Sequence, residues 1–465
     1  MTDQLRAAAA AIEPTASQTL VEEFKAGLRG ELLFPVSAGY EAALKIHNGM
    51  INNRPAMVAR CAGVADVINC VNFARTTETL VSIRGGGHGV PGFAICDGGL
   101  MIDLSRLKGI RVDPDKRSVR AEGGVNWGEF YHETQAFGLA TTGGVARPTG
   151  IAGLTLAGGH GYLMRKYGLA CDNLRSVDIV TADGRFLTAS ATQNPDLFWG
   201  LRGGGGNFGV VTSFEYQLHP VGPVLGGLVF YPMKEAQGLL KFYHEFTGSA
   251  PDEVSPVAVL ATLPDGTKAV VIILGYFGPP DQGERTLRPL RTFSTPLSDQ
   301  VGPMTYVELQ SIVEKFNPPG LRNYWKTCFL KELSDEAISI MVDHYASVPS
   351  PYSHVVVYTL GGAVSRVGKE ETAVAHRDAR QALVMIGMWS DSADDDRNIR
   401  WVRELSNAME PYSSGGFYIN YEAAVSAEQV RGAYGPETYE RLVALKNKYD
   451  PTNFFRLNQN IKPTV

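Results

Sequence analysis

Hydrophobic positions in the first third of the chain alternate between helical and extended spacing. Apolar residues recur every three to four positions in three segments, which predicts helices. Two shorter apolar segments favour strands, and the second strand leads directly into a cluster of glycines. The predicted helices are Leu20–Leu33, ending near Gly30, Tyr40–Met50 and Val64–Thr76, and the predicted strands are Met57–Arg60 and Thr79–Ile83.

Pairs of extended segments joined by short turn sequences predict β-hairpins in the remainder of the chain. Asp113–Lys116, Ala182–Arg185 and Pro264–Thr267 combine aspartate with proline or glycine, residues whose backbone preferences close tight turns. Gly361-Gly362 predicts a fourth turn. The strands predicted to pair are Gly109–Val112 with Ser118–Ala121, Val177–Val180 with Phe186–Ala189, Val257–Leu263 with Lys268–Tyr276, and His354–Leu360 with Ala363–Val367.

Helical segments among the later hairpins predict an antiparallel sheet that carries helices on one face. The pattern changes near Pro220, and a non-periodic tail follows the last helix, which Asp450-Pro451 is expected to stop. This arrangement is typical of an α+β fold. The helices predicted in this part are Glu235–Phe246, Ser334–Tyr345, Ala373–Gln381 and Glu437–Tyr449.

The composition describes a globular chain with room for two domains. It has 465 residues, of which 44% are hydrophobic, and a formal net charge of −5. No basic stripe stands out, which argues against nucleic acid as a partner. The longest apolar stretch, Ala269–Gly275, is far too short to span a membrane, so no membrane association is expected.

The cysteines and the N-terminal residues bear on the compartment. The five cysteines lack CxxC spacing, which argues against a disulfide framework or a zinc site and favours reduced thiols in the cytoplasm. Met1–Gln18 has no basic segment followed by an apolar one, so we expect no signal peptide. The acidic triplet Asp394–Asp396 could suggest a metal, but a solvated helix cap is the stronger interpretation, and no metal is expected.

Three glycine runs dominate the first half of the chain: Arg84–Gly89, Thr141–Gly144 continuing through Thr149–Gly161, and Leu201–Gly209. Consecutive glycines after a strand can turn successive amide N–H groups towards one anion, which forms a phosphate cradle. The second run mixes small and apolar residues, as a flat aromatic ring system packed on backbone requires. Tight turns alone could explain one run, but three runs favour a dinucleotide-like cofactor.

The third run contains the pattern GxGxxG from Gly204 to Gly209, which alone is a weak signal. In a Rossmann fold this pattern follows a strand and opens a helix. Here a loop and helical turn at Asn194–Trp199 precede it, and an extended segment, Val210–Leu218, follows it. The inverted context disfavours a Rossmann nucleotide site, and the Walker A pattern is absent as well.

Several motifs, taken in order, resemble the vanillyl-alcohol-oxidase/PCMH flavoprotein superfamily. The similarity is greatest to its berberine-bridge-enzyme-like and 6-hydroxynicotine-oxidase-like branch. It covers about residues 35–220 and 405–465 well and the segment between them more loosely. The matching motifs are Arg84–Gly89, Thr149–Gly159, Asp172–Leu174, Val180–Gly184, Asp196–Trp199 with the third glycine run, Tyr418–Asn420 and Asp450–Ile461.

This resemblance implies an α+β fold with a two-part PCMH-type FAD-binding domain and an antiparallel-sheet substrate domain with helices on one face. The FAD-binding domain would take residues 1–220, the substrate-binding domain residues 221–404, and residues 405–465 would return to the FAD domain. FAD is therefore the expected cofactor. The residues expected to bind it are Arg84, Gly85, Gly86, Gly87, His88, Gly89, Thr149, Gly150, Gly153, Leu154, Gly158, Gly159, His160, Gly161, Val211 and Asn458.

The resemblance also implies that His88 is bonded to the 8α-methyl carbon of the flavin. A neutral imidazole is a competent nucleophile near neutral pH, and a tether would fix the orientation of the cofactor. Outside this motif, a hydrogen-bonded loop histidine would be the simpler interpretation. Many relatives carry a second link through a cysteine where this chain has Ala146. A single covalent link is therefore expected, which fits a narrower pocket than that of oligosaccharide-oxidising relatives.

The segment around Tyr418 is expected to lie over the flavin, again by resemblance. On an extended segment, Tyr418 and Asn420 would face the same side. Tyr418 could then assist deprotonation of the substrate, and both residues are candidates for the catalytic set. A half-buried strand tyrosine without a catalytic role is an equally good interpretation, because tyrosine favours strands.

A second wall of the substrate pocket is expected at Asn323–Lys326, since the family has a similar aromatic-plus-lysine run there. Tyr324 is therefore the third catalytic candidate. Lys326 fits a solvated surface position slightly better than the pocket. His354 and His376 are isolated histidines on the middle sheet and a following helix, so both are expected to be structural.

Together these features predict an FAD-dependent oxidase. It would take hydride from an alcohol, phenol-related or amine carbon of a small aromatic or cyclic substrate and pass the electrons to O₂. A dehydrogenase with a quinone or protein acceptor is one alternative, and oxygen access beside the flavin decides between the two. A non-catalytic small-molecule-binding protein is another, although the intact His88 and glycine runs argue against it. The oligomeric state is open.

Overall fold

The computed structural model describes residues 18–330, 332–423 and 425–465, most of which belong to three main β-sheets and the helices packed on them. The fold is α+β, as the sequence predicts. The expectation for Met1–Gln18 falls outside the described residues, apart from Gln18. Among the helices that the structure describes, none is long and apolar enough to cross a membrane.

The first sheet is mainly parallel and ends in the first glycine run. Three of its four strands are parallel, and one antiparallel strand closes one edge. The helix Val64–Thr76 has the predicted bounds. Because the strand before the glycine run ends at Arg84, the sheet places that run at the carboxyl edge of its strands. In spatial order the strands are β1 (Glu31–Leu33), β2 (Met57–Arg60), β4 (Leu100–Asp103) and β3 (Val81–Arg84).

The prediction of one helix over Leu20–Leu33 is wrong. A helix covers only Gln18–Ala26, and the chain then forms β1, which pairs with β2. At Gly30 the backbone runs directly against the carbonyl group of Arg60, where an added Cβ would overlap with the carbonyl oxygen. Contact between the two backbones therefore takes precedence over helical spacing at this point.

The helix predicted over Tyr40–Met50 is also shorter, because it covers Tyr40–Ala43 alone. The carbonyl oxygens of Ala43 and Lys45 accept hydrogen bonds from the guanidinium of Arg84, the second at 2.9 Å. These carbonyls would otherwise accept from the next helical turn. The segment is therefore held by the residue that opens the first glycine run.

The second sheet is antiparallel and contains two of the predicted hairpins. Across the expected turns, β5 (Ile110–Asp113) pairs with β6 (Ser118–Glu122), and β8 (Leu174–Val180) pairs with β9 (Phe186–Ser190). The strand that follows the third glycine run, β10, lies between the two hairpins in the sheet. In spatial order the strands are β5 (Ile110–Asp113), β6 (Ser118–Glu122), β10 (Val210–Gln217), β8 (Leu174–Val180) and β9 (Phe186–Ser190); a separate two-stranded sheet pairs β7 (Leu139–Ala140) with β11 (His219–Pro220).

The third sheet has eight strands and is antiparallel throughout. It contains the predicted hairpin around Pro264–Thr267. One edge strand, β17, belongs to the segment where the second wall of the substrate pocket is expected. In spatial order the strands are β15 (Ser298–Asp299), β12 (Val224–Pro232), β14 (Lys268–Tyr276), β13 (Val254–Thr262), β18 (His354–Thr359), β19 (Gln381–Trp389) and β17 (Arg322–Leu330), with β16 (Gly302–Met304) paired to β12.

The hairpin predicted at Gly361-Gly362 is wrong. Both glycines have positive φ, and a short helix, Ala363–Arg366, follows in place of a strand. β18 pairs instead with β19, which begins where the helix Ala373–Gln381 is predicted to end. Residues 373–380 form a loop that contains no helix, so His376 is not helical. The pairing partner comes from further along the chain, and local spacing does not reveal it.

The two faces of the third sheet have different environments. One face is covered by helices, as the sequence predicts, through a cluster that includes Ile272, Val357 and Met385. The alternate positions along the same strands point to the opposite face, which borders a large cavity. The helices on the covered face are Ala236–Ser249, Pro280–Arg291, Asp335–Tyr345 and Asp395–Met409.

The tail of the chain is anchored by a buried ion pair. After the helix Pro436–Tyr449, the Lys446 ammonium lies 2.7 Å from the Asp450 carboxylate, and neither side chain is accessible to solvent. The ammonium also donates to the carbonyl oxygens of Asn207 and Phe455, at 2.8 and 2.9 Å. This cluster fixes the tail against the third glycine run. The remaining helices are Trp127–Gln135, Ile151–Leu156, Met164–Tyr167, Pro195–Gly200, Tyr306–Ser311 and Ala427–Tyr434.

The domain boundaries stay predictions. The chain passes from the second to the third sheet between Pro220 and Val224, which is compatible with a division at residue 220. The boundary after residue 404 falls inside the helix Asp395–Met409, which packs on β17 and β19. A returning segment would therefore begin after Met409.

Candidate cofactor and substrate cavity

A cavity of about 870 Å³ lies between the glycine runs and the face of the third sheet that is opposite the four covering helices. This volume is within the range that small-molecule and cofactor sites usually have. Residues of all three glycine runs line it, together with residues of the sheet and of the returning tail. The cavity therefore joins regions that are distant in sequence, as the resemblance to a flavoprotein fold implies.

The first two glycine runs touch each other backbone to backbone. A Cβ added to Gly150 would lie 2.5 Å from the nitrogen of Gly86, closer than real Cβ atoms come to other groups. Arg84 does not line the cavity, because its guanidinium is bound to Ala43 and Lys45 behind the run. Glycine is thus required at the contact between the runs, and Arg84 supports the loop.

The first run presents free backbone donors. The amide N–H groups of Gly86, Gly87, His88 and Gly89 donate to no oxygen within the described part of the chain. All four residues line the cavity. Successive free amides favour an anion, and an amide left without any partner would be costly in a folded chain. These amides are therefore candidates for the phosphate cradle, which stays a prediction.

His88 lies at the cavity wall with its ring stacked on His47. The ring centroids are 3.9 Å apart and the planes differ by 13°. Burial, with a smaller effect from His47, lowers the pKa of His88 to about 3, and burial lowers the pKa of His47 to about 4. Both imidazoles are therefore neutral at pH 7, and a neutral imidazole can act as a nucleophile.

Ala146, the position where the resemblance implies a second flavin-linking cysteine in related enzymes, also lines the cavity. No cysteine is among the residues that line it in the described ranges. Cys171 is fully buried elsewhere, in a cluster with Met164 and Leu169. Thus no thiol is placed where a second link could form.

The second and third runs leave open space on their cavity side. An added Cβ on Gly153 or Gly206 would meet no described atom within 4 Å, in contrast to the tight contacts elsewhere in the runs. Asn458 bridges the tail to the third run by donating to the Gly206 carbonyl oxygen at 3.2 Å, and its own side-chain oxygen is buried without a partner in the described structure. Further cofactor candidates that line the cavity are Gly85, Thr149, Leu154 and Val211.

The end of the second run lies behind the cavity rather than on its surface. Gly158 and Gly159 have φ values of +112° and +96°, and an added Cβ on Gly161 would overlap with the Gly143 carbonyl oxygen. His160 stacks on Tyr418 at a centroid distance of 3.9 Å. None of these four residues of the run is among those that line the cavity, so they can support a cofactor site only from behind.

Tyr418 is held away from the cavity by hydrogen bonds. Its hydroxyl accepts from the amides of Gly159 and His160, at 3.0 and 3.3 Å, and from the Asn420 side chain at 2.8 Å. Burial raises the pKa of Tyr418 to about 12, which disfavours a tyrosinate. Asn420 does line the cavity, and so does its neighbour Tyr421. Of the predicted Tyr-x-Asn segment, Asn420 thus lines the cavity, whereas Tyr418 lies behind it.

Strand alternation separates the residues of the second predicted wall. Trp325 lines the cavity, whereas Tyr324 lies on the opposite face of β17 and accepts a hydrogen bond from Arg403 of the covering helix at 3.1 Å. Lys326 forms an ion pair with Glu422 and is not a solvated residue. The structure therefore does not bring Tyr324 to the cavity, because its neighbour takes the inward position.

His354 lines the cavity, although the sequence favours a structural role for it. Its side chain is 7% exposed, and neither of its buried ring nitrogens makes a hydrogen bond of normal geometry within the described chain. The alternation that places His354, Val356 and Tyr358 on the cavity side of β18 is visible only in the folded sheet. His376, in contrast, bonds to the Ala433 carbonyl oxygen at 3.1 Å. Within the acidic triplet, Asp395 pairs with Arg322 and so has a structural partner.

Comparisons with known proteins agree with the geometry. Residues 55–190 match the FAD binding domain family, and residues 417–462 match the berberine and berberine-like family. The chain is 33% identical over 449 residues to (R)-6-hydroxynicotine oxidase from Paenarthrobacter nicotinovorans, with 94% of this chain and 97% of the other covered. It is 31% identical to an FAD-linked oxidoreductase from Dictyostelium discoideum, with 96% and 97% covered.

The fold is shared with a solved structure over nearly the whole chain. The crystal structure of 6-hydroxy-D-nicotine oxidase from Arthrobacter nicotinovorans superposes with a TM-score of 0.87 at 30% identity, covering 94% of this chain and 98% of that one. Sequence, fold and cavity lead to the same conclusion. The chain belongs to the berberine-bridge-enzyme-like FAD-linked oxidoreductases, the family that includes 6-hydroxynicotine oxidase.

Proposed function

We propose that the protein is an FAD-dependent oxidase whose flavin is held by a single covalent bond to His88. It takes hydride from an alcohol, phenol-related or amine carbon of a small aromatic or cyclic substrate, and O₂ receives the electrons. The observation that carries this proposal is the continuity of the cavity. Its walls combine the free amides of the first glycine run, the neutral His88 and the inner face of the third sheet.

The residues around the cavity fit FAD on two structural grounds. The free amides of residues 86–89 suit a group that carries negative charge. The open space beside Gly153 and Gly206 suits a flat ring or chain laid against backbone. His88 would form the bond to the flavin, and no cysteine is available for a second one. Bound FAD would supply the two-electron oxidation and the reduction of O₂ to H₂O₂.

The chain's own contribution is to bind and orient the cofactor and the substrate and to exclude water from the site. The aliphatic residues on the inner face of the third sheet exclude water from the substrate side. The Asn420 amide is fixed by donating to the Leu154 carbonyl oxygen at 3.1 Å and to the hydroxyl of Tyr418. Tyr418 is therefore proposed as a positioning residue for Asn420 rather than as a base. Tyr324 has no part in this proposal, since it faces the covering helices.

Aerobic turnover tests the proposal. Purified protein should be yellow, and a compound that bleaches the flavin anaerobically should yield one H₂O₂ per oxidised molecule in air, measured with a peroxidase-coupled dye. The variant His132→Gln serves as the control for histidine substitutions, because His132 is an exposed histidine on the helix Trp127–Gln135. This variant should turn over the substrate as the wild type does. Substrate-reduced flavin that stays reduced for minutes in air would instead favour a dehydrogenase.

A colourless protein that fails to take up FAD would contradict the enzyme proposal altogether and favour a non-catalytic binding protein. The described structure argues against this outcome, because free amides and unpartnered side-chain atoms line the cavity. Buried polar groups without partners are costly, so a chain that no longer bound a ligand would gain stability by losing them.

A further inference from the structure

The substrate side of the cavity is formed by one face of the third sheet, and that face is strongly apolar. Six aliphatic side chains from four neighbouring strands line it: Val257, Val259, Ile273, Val356, Val384 and Ile386. A sugar carries a hydroxyl on nearly every ring carbon, and such groups would lose their hydrogen bonds to water against this wall. A compact hydrocarbon framework would gain from the same burial.

Charged side chains are almost absent from the cavity. Among the described residues that line it, only Lys45 and Glu314 carry a charge at neutral pH. Lys45 is exposed, and the Glu314 carboxylate lies 3.6 Å from the guanidinium of Arg147. Neither is therefore free to pair with a charged substrate deep in the cavity, which favours a neutral one.

His354 is one of two polar side chains that β18 places on the apolar wall, the other being Tyr358. Both ring nitrogens of His354 are buried, and neither makes a hydrogen bond of normal geometry within the described chain. His354 lies next to Ile386 in the register of β18 and β19. Burial lowers the pKa of His354 to about 4. Weak hydrogen bonding between the ring and the backbone of Phe316 and Ser353 acts in the opposite direction without cancelling this shift, so the ring is neutral at pH 7. A neutral imidazole offers one donor and one acceptor. Unpartnered groups of this kind in a native protein call for an explanation, and a bound ligand is a direct one.

The position of His354 relates it to the flavin attachment point. Trp325, Ile386 and His354 stand side by side on β17, β19 and β18. The Trp325 ring lies 6.0 Å from the ring of His47, which stacks on His88. Adjacent strands are about 4.8 Å apart, so His354 is two strands along the row from the tryptophan. A small substrate bound at His354 would thus lie on the wall that leads to His88.

We propose that His354 binds the single hydroxyl or amine group of an otherwise apolar, neutral substrate and thereby selects the carbon that is oxidised. This inference rests on the proposed oxidase function and narrows its substrate class. The neutral ring accepts a hydrogen bond from the O–H or N–H group of the substrate, and the aliphatic wall holds the hydrocarbon framework. Sugars are disfavoured because they would bring more polar groups to this wall than His354 and Tyr358 can partner.

Ligand titration of the purified holoenzyme tests the proposal without turnover. The probes are matched pairs that differ in one polar group, benzyl alcohol with toluene, p-cresol with p-xylene and cyclohexanol with cyclohexane, together with glucose and cellobiose. Binding is measured from perturbation of the flavin absorbance spectrum. The variants are His354→Phe, which keeps a ring without nitrogens, and His354→Gln, which keeps a neutral donor and acceptor, with His132→Gln as the control. Melting temperature and flavin content confirm that each variant is folded.

The wild type and the control should bind at least one polar member at least about tenfold tighter than its hydrocarbon partner, because the partner leaves the ring without a hydrogen bond. His354→Phe should bind both members of that pair about equally, and His354→Gln should restore part of the difference. Undiminished discrimination in His354→Phe would overturn the role of His354. Binding of the sugars, or of no cyclic probe at all, would overturn the substrate class.

Failure of the underlying function is distinguishable from failure of this inference. A protein without bound flavin contradicts the proposed function before any titration begins. A yellow protein that discriminates through His354 but makes no H₂O₂ supports the binding role and contradicts only the oxidase assignment. A yellow oxidase with unchanged discrimination in His354→Phe leaves the function intact and contradicts the inference.

Discussion

Replacement of Lys446 by methionine probes the buried cluster that anchors the tail. Methionine keeps most of the side-chain volume but removes the charge and the three hydrogen-bond donors. The change leaves the Asp450 carboxylate buried and the carbonyl oxygens of Asn207 and Phe455 without their donor. Two backbone amides, of Phe454 and Phe455, still donate to Asp450 at 2.7 and 2.9 Å and limit the loss.

The expected cost is about 3–5 kcal/mol of unfolding free energy, the range typical of a buried ion pair that loses one partner. Lys448→Met is a matched control on the same helix, because Lys448 is mostly exposed and pairs with Asp196 at the surface. Exposed pairs contribute about 0–1 kcal/mol, so the control should be nearly neutral. Denaturant unfolding followed by flavin fluorescence and circular dichroism measures both variants.

The double variant Lys446→Met/Asp450→Asn provides a further check. It should be more stable than Lys446→Met alone, because no lone carboxylate remains buried. The reasoning would be refuted if Lys446→Met and Lys448→Met differed by less than about 1 kcal/mol, since a buried pair and a surface pair would then be equivalent. It would also be refuted if the double variant lost as much unfolding free energy as Lys446→Met and Asp450→Asn lose together.

Three further predictions concern the cavity. Gly153→Ala should leave the flavin-free protein as stable as the wild type or more stable by up to about 1 kcal/mol, since alanine favours the helix and its Cβ meets no described atom. The same change should weaken FAD uptake, measured by flavin titration. Unchanged uptake would show that no cofactor lies beside Gly153. Tyr418→Phe should lower the free energy of unfolding by about 1–3 kcal/mol, because two buried amides lose their acceptor. It should leave the pH profile of turnover unchanged. A shifted profile would indicate that Tyr418 acts as a base. The pKa of His354 is lowered from 6.5 to about 4, so the free energy of unfolding should fall as the pH falls through that window, by roughly 3 kcal/mol at pH 4. In denaturant titrations, His354→Gln should lose that part of the acid sensitivity. Equal acid sensitivity in the variant and the wild type would contradict this prediction.

Local chemistry decided how much of the fold could be predicted from the sequence. The strand Met57–Arg60 and the helix Val64–Thr76 have strong spacing and clear ends, and their bounds are confirmed. The hairpin at Pro264–Thr267 is confirmed because its turn residues determine the connection. The hairpin prediction for the segment after Gly361 is wrong for the opposite reason. Its glycines bend the chain, and the partner of β18 comes from the distant strand β19.

The candidate site shows the same division between local pattern and tertiary contact. The first glycine run could be interpreted because free amides and a histidine follow from consecutive residues. The inward direction of Trp325 rather than Tyr324 depends on how β17 packs against the helices, which spacing alone leaves open. An isolated histidine such as His354 gives no local signal, since its importance lies in an apolar wall assembled from several strands.

The most direct measurement for the central claim is mass spectrometry of the denatured, protease-digested protein. A single covalent link predicts that the peptide containing His88 carries the mass of one FAD, and that peptides containing the five cysteines carry none. His88→Ala should still bind FAD when folded, through the free amides of the first run, and should release all of it on acid precipitation. An unmodified His88 peptide in yellow wild-type protein would contradict the account.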